Sequence, residues 1–336
     1  MKNLVARLFL KLAAICVLTG LILTVTNILY TRGYYYRDTY GELDKMSTVP
    51  DHITMVNLGT RHGLASFIYP DDGVVRYNLA LSGEDIYHDF ATLKQFTKNL
   101  EKGCIVALPI SYFSFGKSTD EPSQKRYYLY LDREYIKDFT YETLINAKYL
   151  PVLRSGEFII KDLINDRELD VADQLTDNEE TVNGEAELTA DGDSEYTAEE
   201  RREMDKEITQ HAVSRAESWR AGYMTAGRIF IKENVALLTE MVDYCYEHGF
   251  RPLLVTTPIY YSLNERFGEE ELDTCFVKPM QEVIDATGVP YLDLSHDPQF
   301  THTPEYYSNS DHLNETGAAA FYERYTEFLD EIGYTE

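Results

Sequence analysis

The chain has 336 residues and a formal net charge of −26, which allows one large domain or two small ones. A surface of that sign repels nucleic-acid phosphates and anionic lipid headgroups, which argues against a nucleic-acid partner. The four cysteines contain no CxxC pair, so they form neither a zinc ribbon nor a recognisable disulfide framework.

The N-terminus comes first. Lys2, Arg7 and Lys11 precede an uncharged run from Leu12 to Thr31 that Arg32 closes. About 20 apolar residues at 1.5 Å each cross about 30 Å of hydrocarbon. Positive charge on the short side keeps that end in the cytoplasm. The reading is a cytoplasmic tail (1–11), a transmembrane signal anchor (12–31) and a stalk (32–48), with the main domain (49–336) outside the cell. A cleaved signal peptide is the competing reading, although no small-x-small cleavage site follows the run. The stalk is rich in tyrosine (Tyr34, Tyr35, Tyr36, Tyr40), which suits a membrane interface.

Beyond the stalk, His52 to Asn57 reads as a buried strand that runs into Leu58-Gly59-Thr60-Arg61-His62. Asn78 to Gly83 is a short strand and turn. A helix follows with Ile86, Phe90, Leu93, Phe96 and Leu100 on one face. Cys104 to Leu108 is a continuous apolar strand stopped by Pro109. Helical segments are expected over Asp132 to Ala147 and Ser155 to Ile164.

The composition then changes. Asp166 to Glu200 holds fourteen acidic residues and one basic residue. Such a stretch cannot build a core and reads as a disordered surface insert, bounded at 166–205. Asp191 to Glu195 offers oxygen ligands for calcium but lacks the twelve-residue helix-loop-helix spacing. No metal is assigned, and no cofactor is called for.

Regular structure is expected to resume near Lys206. A helix over Lys232 to His248, a strand over Pro252 to Thr257, a helix over Phe276 to Thr287, a strand over Val289 to Leu294 and a helix over Glu315 to Ile332 follow. Cys104 and Cys245 fall in apolar patterns and read as core residues. His88, His211 and His248 fall in helical stretches and read as surface residues. His62 reads as packing behind its turn. Apolar strands alternating with helices describe an α/β domain with a mostly parallel sheet covered on both faces. In such sheets ligands bind at the carboxyl ends of the strands. Three polar clusters fall at strand ends: Gly59 to His62, Pro109 to Ser114, and Asp293 to His312.

In order and spacing these blocks resemble the SGNH hydrolase superfamily, and more closely its cell-envelope branch, which includes the DltD proteins of teichoic acid D-alanylation and the alginate acetylation proteins. Val56 to His62 resembles the nucleophile block, Asn78 to Gly83 the block whose glycine donates to an oxyanion, Leu108 to Ser114 the third block, and Asp311-His312-Leu313-Asn314 through Ala318 the block of the catalytic histidine. The resemblance implies a flavodoxin-like three-layer sandwich, with His312 as catalytic base. It also implies Gly59, Gly83 and Ser111 at the oxyanion or substrate. A role in acyl decoration of a cell-surface glycopolymer or teichoic acid follows, beside a membrane-bound O-acyltransferase.

Two positions depart from that pattern. Arg61 stands where the family has its serine. Arginine is always protonated and cannot attack, although it can clamp an anion. Asn309 stands where the family has the aspartate that orients the histidine, with Asp311 adjacent to His312. Asn309 could still orient a neutral imidazole through its carbonyl oxygen. Three readings stay open: a degenerate site that binds, with Arg61 and His312 forming a polar cleft; Thr60 as a displaced nucleophile with His312 as base; or His312 activating water or an acceptor hydroxyl while Arg61 holds the acyl or phosphate group. Asn314 is a candidate N-cap of the last helix.

Overall fold

The computed structural model describes residues 2–33, 36–37, 40–118, 122–154 and 196–334. The expected helix over Ser155 to Ile164, the acidic stretch as far as residue 195, the calcium candidate and the stalk residues Tyr34 and Tyr35 lie outside the described residues. The chain divides into two compact units. One comprises the described parts of 1–47 and 122–191, the other those of 48–121 and 192–336.

In the first unit, helix α1 spans Lys2–Arg32 and is long and apolar enough from Leu4 to cross a membrane. A 3-10 helix over Gly41–Ser47 buries Leu43 and Met46. The single helical region expected over Asp132 to Ala147 is a broken series instead: a 3-10 turn over Arg133–Tyr135, an α-turn over Tyr141–Leu144 and a π-turn over Ile145–Tyr149, followed by a 3-10 turn over Pro151–Arg154. Thr140 explains the break. Its backbone is extended, and its hydroxyl caps a new start by accepting from the N–H of Thr143, a bond that competes with helix continuation.

The second unit is a doubly wound α/β domain. Its strands are β1 (Ile53–Asn57), β2 (Arg76–Asn78), β3 (Leu100–Pro109), β4 (Arg251–Thr256) and β5 (Tyr291–Asp293). Its longer helices are α2 (Arg61–Ser66), α3 (Ile86–Phe96), α4 (Ala198–Trp219), α5 (Ile231–Glu247), α6 (Lys278–Thr287) and α7 (Glu315–Glu331). The strands lie in the order β2-β1-β3-β4-β5, and all four pairings are parallel. Such a sheet is covered on both faces, which is why Ile105 to Leu108 and Leu253 to Val255 are continuous apolar runs, all buried. The second strand of the sequence reading is shifted: β2 ends at Asn78, and Leu79 and Leu81 continue toward β1 as single backbone bonds to Asn57 and Gly59.

Side chains alternate across a strand. On one face Met55, Ile105, Ala107, Leu253, Val255 and Leu292 meet Phe321, Tyr325 and Leu329 of α7. Each of the larger aliphatic and phenylalanine side chains among them, taken out of water, contributes about 1.5–3 kcal/mol. The opposite layer contains α3, α5 and α6, with α5 packed against both of the others and against β4. Cys104, Cys245 and Cys275 are buried and free.

Helix α4 begins inside the range assigned to the insert. Thr197 and Glu200 form a reciprocal capping box, in which the threonine hydroxyl and the glutamate each satisfy an otherwise open backbone N–H. The order of strands reverses between β1 and β3. In an open sheet of this order, the crevice at that point is where ligands bind, and two of the three polar clusters flank it.

Candidate functional site

β1 leaves the sheet through Leu58 and Gly59. Gly59 has φ +100°, a conformation open to glycine, and a Cβ there would press on Pro109 at the end of β3. Thr60 follows as the N-cap of α2, its hydroxyl accepting from the N–H of His62. Gly63 must also lack a side chain, since a Cβ would collide with the carbonyl of Leu58. The turn is therefore tight, and it aims His62 inward, where the ring is buried. At the other end of the domain, Asn314 caps α7 by accepting from the N–H of Gly317. A Cβ on Gly317 would collide with the backbone of Tyr306, so this glycine lets α7 press against the loop that carries Asn309 to His312.

The two turns meet at Asp311. Its Oδ2 lies 3.3 Å from Nε2 of His62 and 3.6 Å from Nε2 of His312. The two imidazole rings are 4.9 Å apart. Its other oxygen accepts from Nε of Arg215 at 3.1 Å. Burial would raise the Asp311 carboxyl, but the charges of His312 and Arg215 and the contact with His62 outweigh it and hold the group well below the usual carboxylate range. Of these partners only arginine is charged at every pH, so the direction rests mainly on Arg215. Burial drives His312 the other way, well below the usual histidine range, against the pull of Asp311 and with further lowering from His62, Arg215 and Arg61. The corner thus holds a buried carboxylate and a neutral imidazole.

Asn309 fixes which nitrogen of His312 carries the proton. Its Oδ1 accepts from the backbone N–H groups of Asp311 at 3.1 Å and His312 at 3.0 Å. That leaves the Nδ2 amide against Nδ1 of His312 at 3.0 Å. An amide N–H only donates, so Nδ1 must accept and the ring proton resides on Nε2. This corrects the expectation that Asn309 orients the ring through its carbonyl oxygen, because both backbone donors have already claimed that oxygen. A triad base needs the reverse tautomer, with Nδ1–H toward its orienting partner and the Nε2 lone pair free for the nucleophile.

His62, expected to pack behind its turn, is a central member of the site. Its Nδ1 lies 3.1 Å from the Thr60 hydroxyl. The ionised Asp311 beside Nε2 favours a proton there, which leaves Nδ1 to accept the Thr60 O–H. A hydroxyl, an imidazole and a carboxylate therefore follow one another: Thr60, His62, Asp311. Among the described residues, His62 Nε2 and Asp311 Oδ2 are both buried without a hydrogen-bond partner, although they lie 3.3 Å apart. Unpaired groups of this kind cost about 1–3 kcal/mol each.

Helix α4 covers the corner with residues spaced by four. His211 Nδ1 lies 2.8 Å from the Ser310 hydroxyl, Arg215 holds Asp311, and Trp219 packs 5.9 Å from the His62 ring and 4.9 Å from Phe113. His211 is therefore half-buried over the site and not a surface residue; burial depresses its pKa, with Asp311 opposing. His88 is also buried, bonded to Asp85 at 2.7 Å. His248 is exposed, as its position predicts.

The structure brings Thr60, Asn309, Asp311 and His312 together, with Arg61 half-buried and near enough to depress His312. The Gly59 N–H, one expected oxyanion donor, is directed at Asp89 Oδ1 at 2.8 Å. Gly83 is exposed in the turn before α3. Ser111 is buried, its N–H donating to the Ser114 hydroxyl and its own hydroxyl lacking a partner among the described residues. Among the described residues, no hydrogen bond joins Gly83 or Ser111 to Thr60, Asp311 or His312.

His62, Asp311 and His312 offer ligand atoms within 4.8 Å of one another, a set that could be considered for a cation. The fit is poor. The Asn309 amide keeps the His312 proton on the nitrogen that would have to ligate, and the Arg215 guanidinium already neutralises the carboxylate.

No protein-family model matches the chain, and no curated protein matches it. Among solved structures, a candidate platelet activating factor from Streptococcus pneumonia aligns with a TM-score of 0.39 at 11% identity, covering 93% of this chain and 99% of that one. A candidate acylhydrolase from Bacteroides fragilis aligns with a TM-score of 0.37 at 8% identity, covering 87% and 95%.

Proposed function

We propose that this chain is a membrane-anchored, extracytoplasmic SGNH-like protein that takes part in acyl modification of a cell-envelope polymer, and that its His312 corner binds its ligand without cleaving it. One observation carries the second half: the Asn309 amide donates to Nδ1 of His312, so the nitrogen a nucleophile would need holds a proton. Arg61 at the nucleophile position agrees with it, since a guanidinium clamps an anion and cannot attack. The polymer in this reading is an anionic glycopolymer or teichoic acid, and a membrane-bound O-acyltransferase is the expected partner. The order of the sequence blocks supports the family, and the apolar helix α1 supports the anchor.

The test is an ester-hydrolysis assay on the full chain in detergent with O-acetyl and D-alanyl esters. Wild type should turn over no faster than His312→Ala. The double variant Arg61→Ser, Asn309→Asp should gain an esterase activity that depends on His312. Wild-type turnover that disappears in His312→Ala would overturn the binding reading.

A second reading has its own observation, the Thr60–His62–Asp311 chain. In it the Thr60 hydroxyl attacks an acyl ester and His62 takes its proton at Nδ1 while Asp311 stabilises the imidazolium; as the ester C–O bond breaks, His62 returns that proton to the departing alkoxide, which leaves as the alcohol. Turnover that survives in His312→Gln and is lost in both Thr60→Val and His62→Gln would establish it in place of the first.

A further inference from the structure

The first unit presents a set of large apolar side chains to its surface. Tyr141, Ile145, Tyr149 and Leu153 are carried on the successive short turns that end this unit's described residues. Their relative exposures are 63%, 46%, 60% and 57%. Several large apolar side chains exposed within one short segment are the kind of surface that marks a contact. What covers them is indicated by the element they are tied to. Asn27, inside α1, donates through Nδ2 to the carbonyl of Tyr149 and accepts at Oδ1 from the N–H of Val152, each at 3.3 Å. One amide of the apolar helix thus holds the backbone between Tyr149 and Val152.

The depth follows from helix geometry. Arg32 closes the apolar run, and Asn27 is five residues before it, or about 8 Å along the axis. Amphipathic segments that lie in a membrane interface bury their apolar side about 5–10 Å into the boundary between headgroups and acyl chains. The same two bonds solve a problem particular to that depth. An amide below the headgroups has little water to bond, and here both of its functions are satisfied by the docked backbone. The composition suits the level as well. Tyrosine is favoured at the interface, and the exposed Lys148 is long enough to reach the headgroups. In a chain of net charge −26, residues 122–154 carry six lysines and arginines against four acidic residues, so this stretch escapes the repulsion that anionic headgroups exert on the rest.

We propose that Tyr141, Ile145, Tyr149 and Leu153 insert into the bilayer interface at the carboxyl end of α1, so that lipid is the occupant of this surface and the chain is held by a second membrane contact beside its anchor. The proposal rests on α1 being a retained membrane helix.

Trp219 is the only tryptophan in the chain, which makes fluorescence a clean probe. The full chain carrying Trp219→Phe is prepared with either Leu153→Trp or Ile22→Trp and reconstituted into phosphatidylcholine–phosphatidylglycerol vesicles, with and without acyl-chain-brominated lipid. Both tryptophans should lose more than half their emission to brominated lipid, and Leu153→Trp should resist aqueous acrylamide. Quenching of Ile22→Trp alone, with Leu153→Trp open to acrylamide, would overturn the interfacial contact and leave the anchor standing. A Leu153→Trp shielded from both quenchers would mean that protein covers these side chains, which also overturns it. Brominated lipid acting on neither residue would refute the anchor reading, and the proposal with it.

Discussion

The turn after β1 and the turn before α7 bring one imidazole each to the same carboxylate oxygen, and they differ only at the far nitrogen. His62 has the Thr60 hydroxyl at Nδ1; His312 has the Asn309 amide. A hydroxyl can surrender a proton to imidazole and an amide N–H cannot, at any accessible pH. Two histidines of the same tautomer against the same Asp311 are therefore unequal: one is in contact with a group it could activate, the other is fully engaged in holding its loop. Proximity to a carboxylate does not make a histidine a base; the partner on its other side decides.

Three experiments test that contrast. The largest effect is expected from Asp311→Asn, which leaves the half-buried Arg215 without its counter-charge and loosens both turns at once. Breaking a buried pair on one side costs about 3–5 kcal/mol, visible in thermal unfolding of the full chain; a change below about 1 kcal/mol would show that the corner does not hold the turns together.

The next is a pH effect. His312 is neutral in the folded state because burial depresses its pKa, whereas the unfolded chain binds a proton below about pH 6.5. The unfolded state thus gains protons the folded state refuses, and stability falls as the pH drops below about 6.5, by up to about 1.4 kcal/mol per unit for one such group. His211, also depressed, adds to the slope with the same sign. His312→Gln should flatten the loss of melting temperature between pH 7 and pH 5, and an unchanged slope would mean that His312 is not held neutral.

The smallest energetic effect and the sharpest readout belong to Asn309→Asp. The carboxylate keeps the two backbone N–H bonds but replaces the donor at Nδ1 with an acceptor. Nitrogen-15 spectra of the imidazole should show the His312 proton moved from Nε2 to Nδ1, with His62 unchanged. A His312 signal identical to wild type would remove the basis for calling it a disabled base.

The sheet was readable from the sequence where strands are buried on both faces, because burial demands an unbroken apolar run, as in β3 and β4. The His312 block was readable because its cap, Asn314, and its glycine, Gly317, stand at fixed offsets from the helix start. Helix α4 was placed too late. The acidic composition that marks the insert continues into its first turn, and the Thr197–Glu200 capping box was the available signal that a helix had begun. The face of α4 over the site was missed for a related reason: His211, Arg215 and Trp219 are spaced for one side of a helix, but in a strongly charged segment that spacing also describes a solvated surface. The role of His62 depends on a contact across two residues through a capped turn, and the orientation of Asn309 on two backbone N–H groups. Neither has a periodicity to read.

The neighbouring positions of β3 and β4 have a consequence for how the chain folds. β3 ends at Pro109 and β4 begins at Arg251, yet they pair side by side. Each doubling of such a loop costs only about 0.6 kcal/mol, so the finished domain tolerates the long excursion between them. The rate is another matter, since pairings between distant segments are the slow steps of folding. β1, β2 and β3 can meet early, carrying Thr60 and His62 into place, whereas Asp311 and His312 arrive only after the chain has returned. The polar corner, which joins the turn after β1 to the turn before α7, therefore depends on contacts between distant segments of the chain.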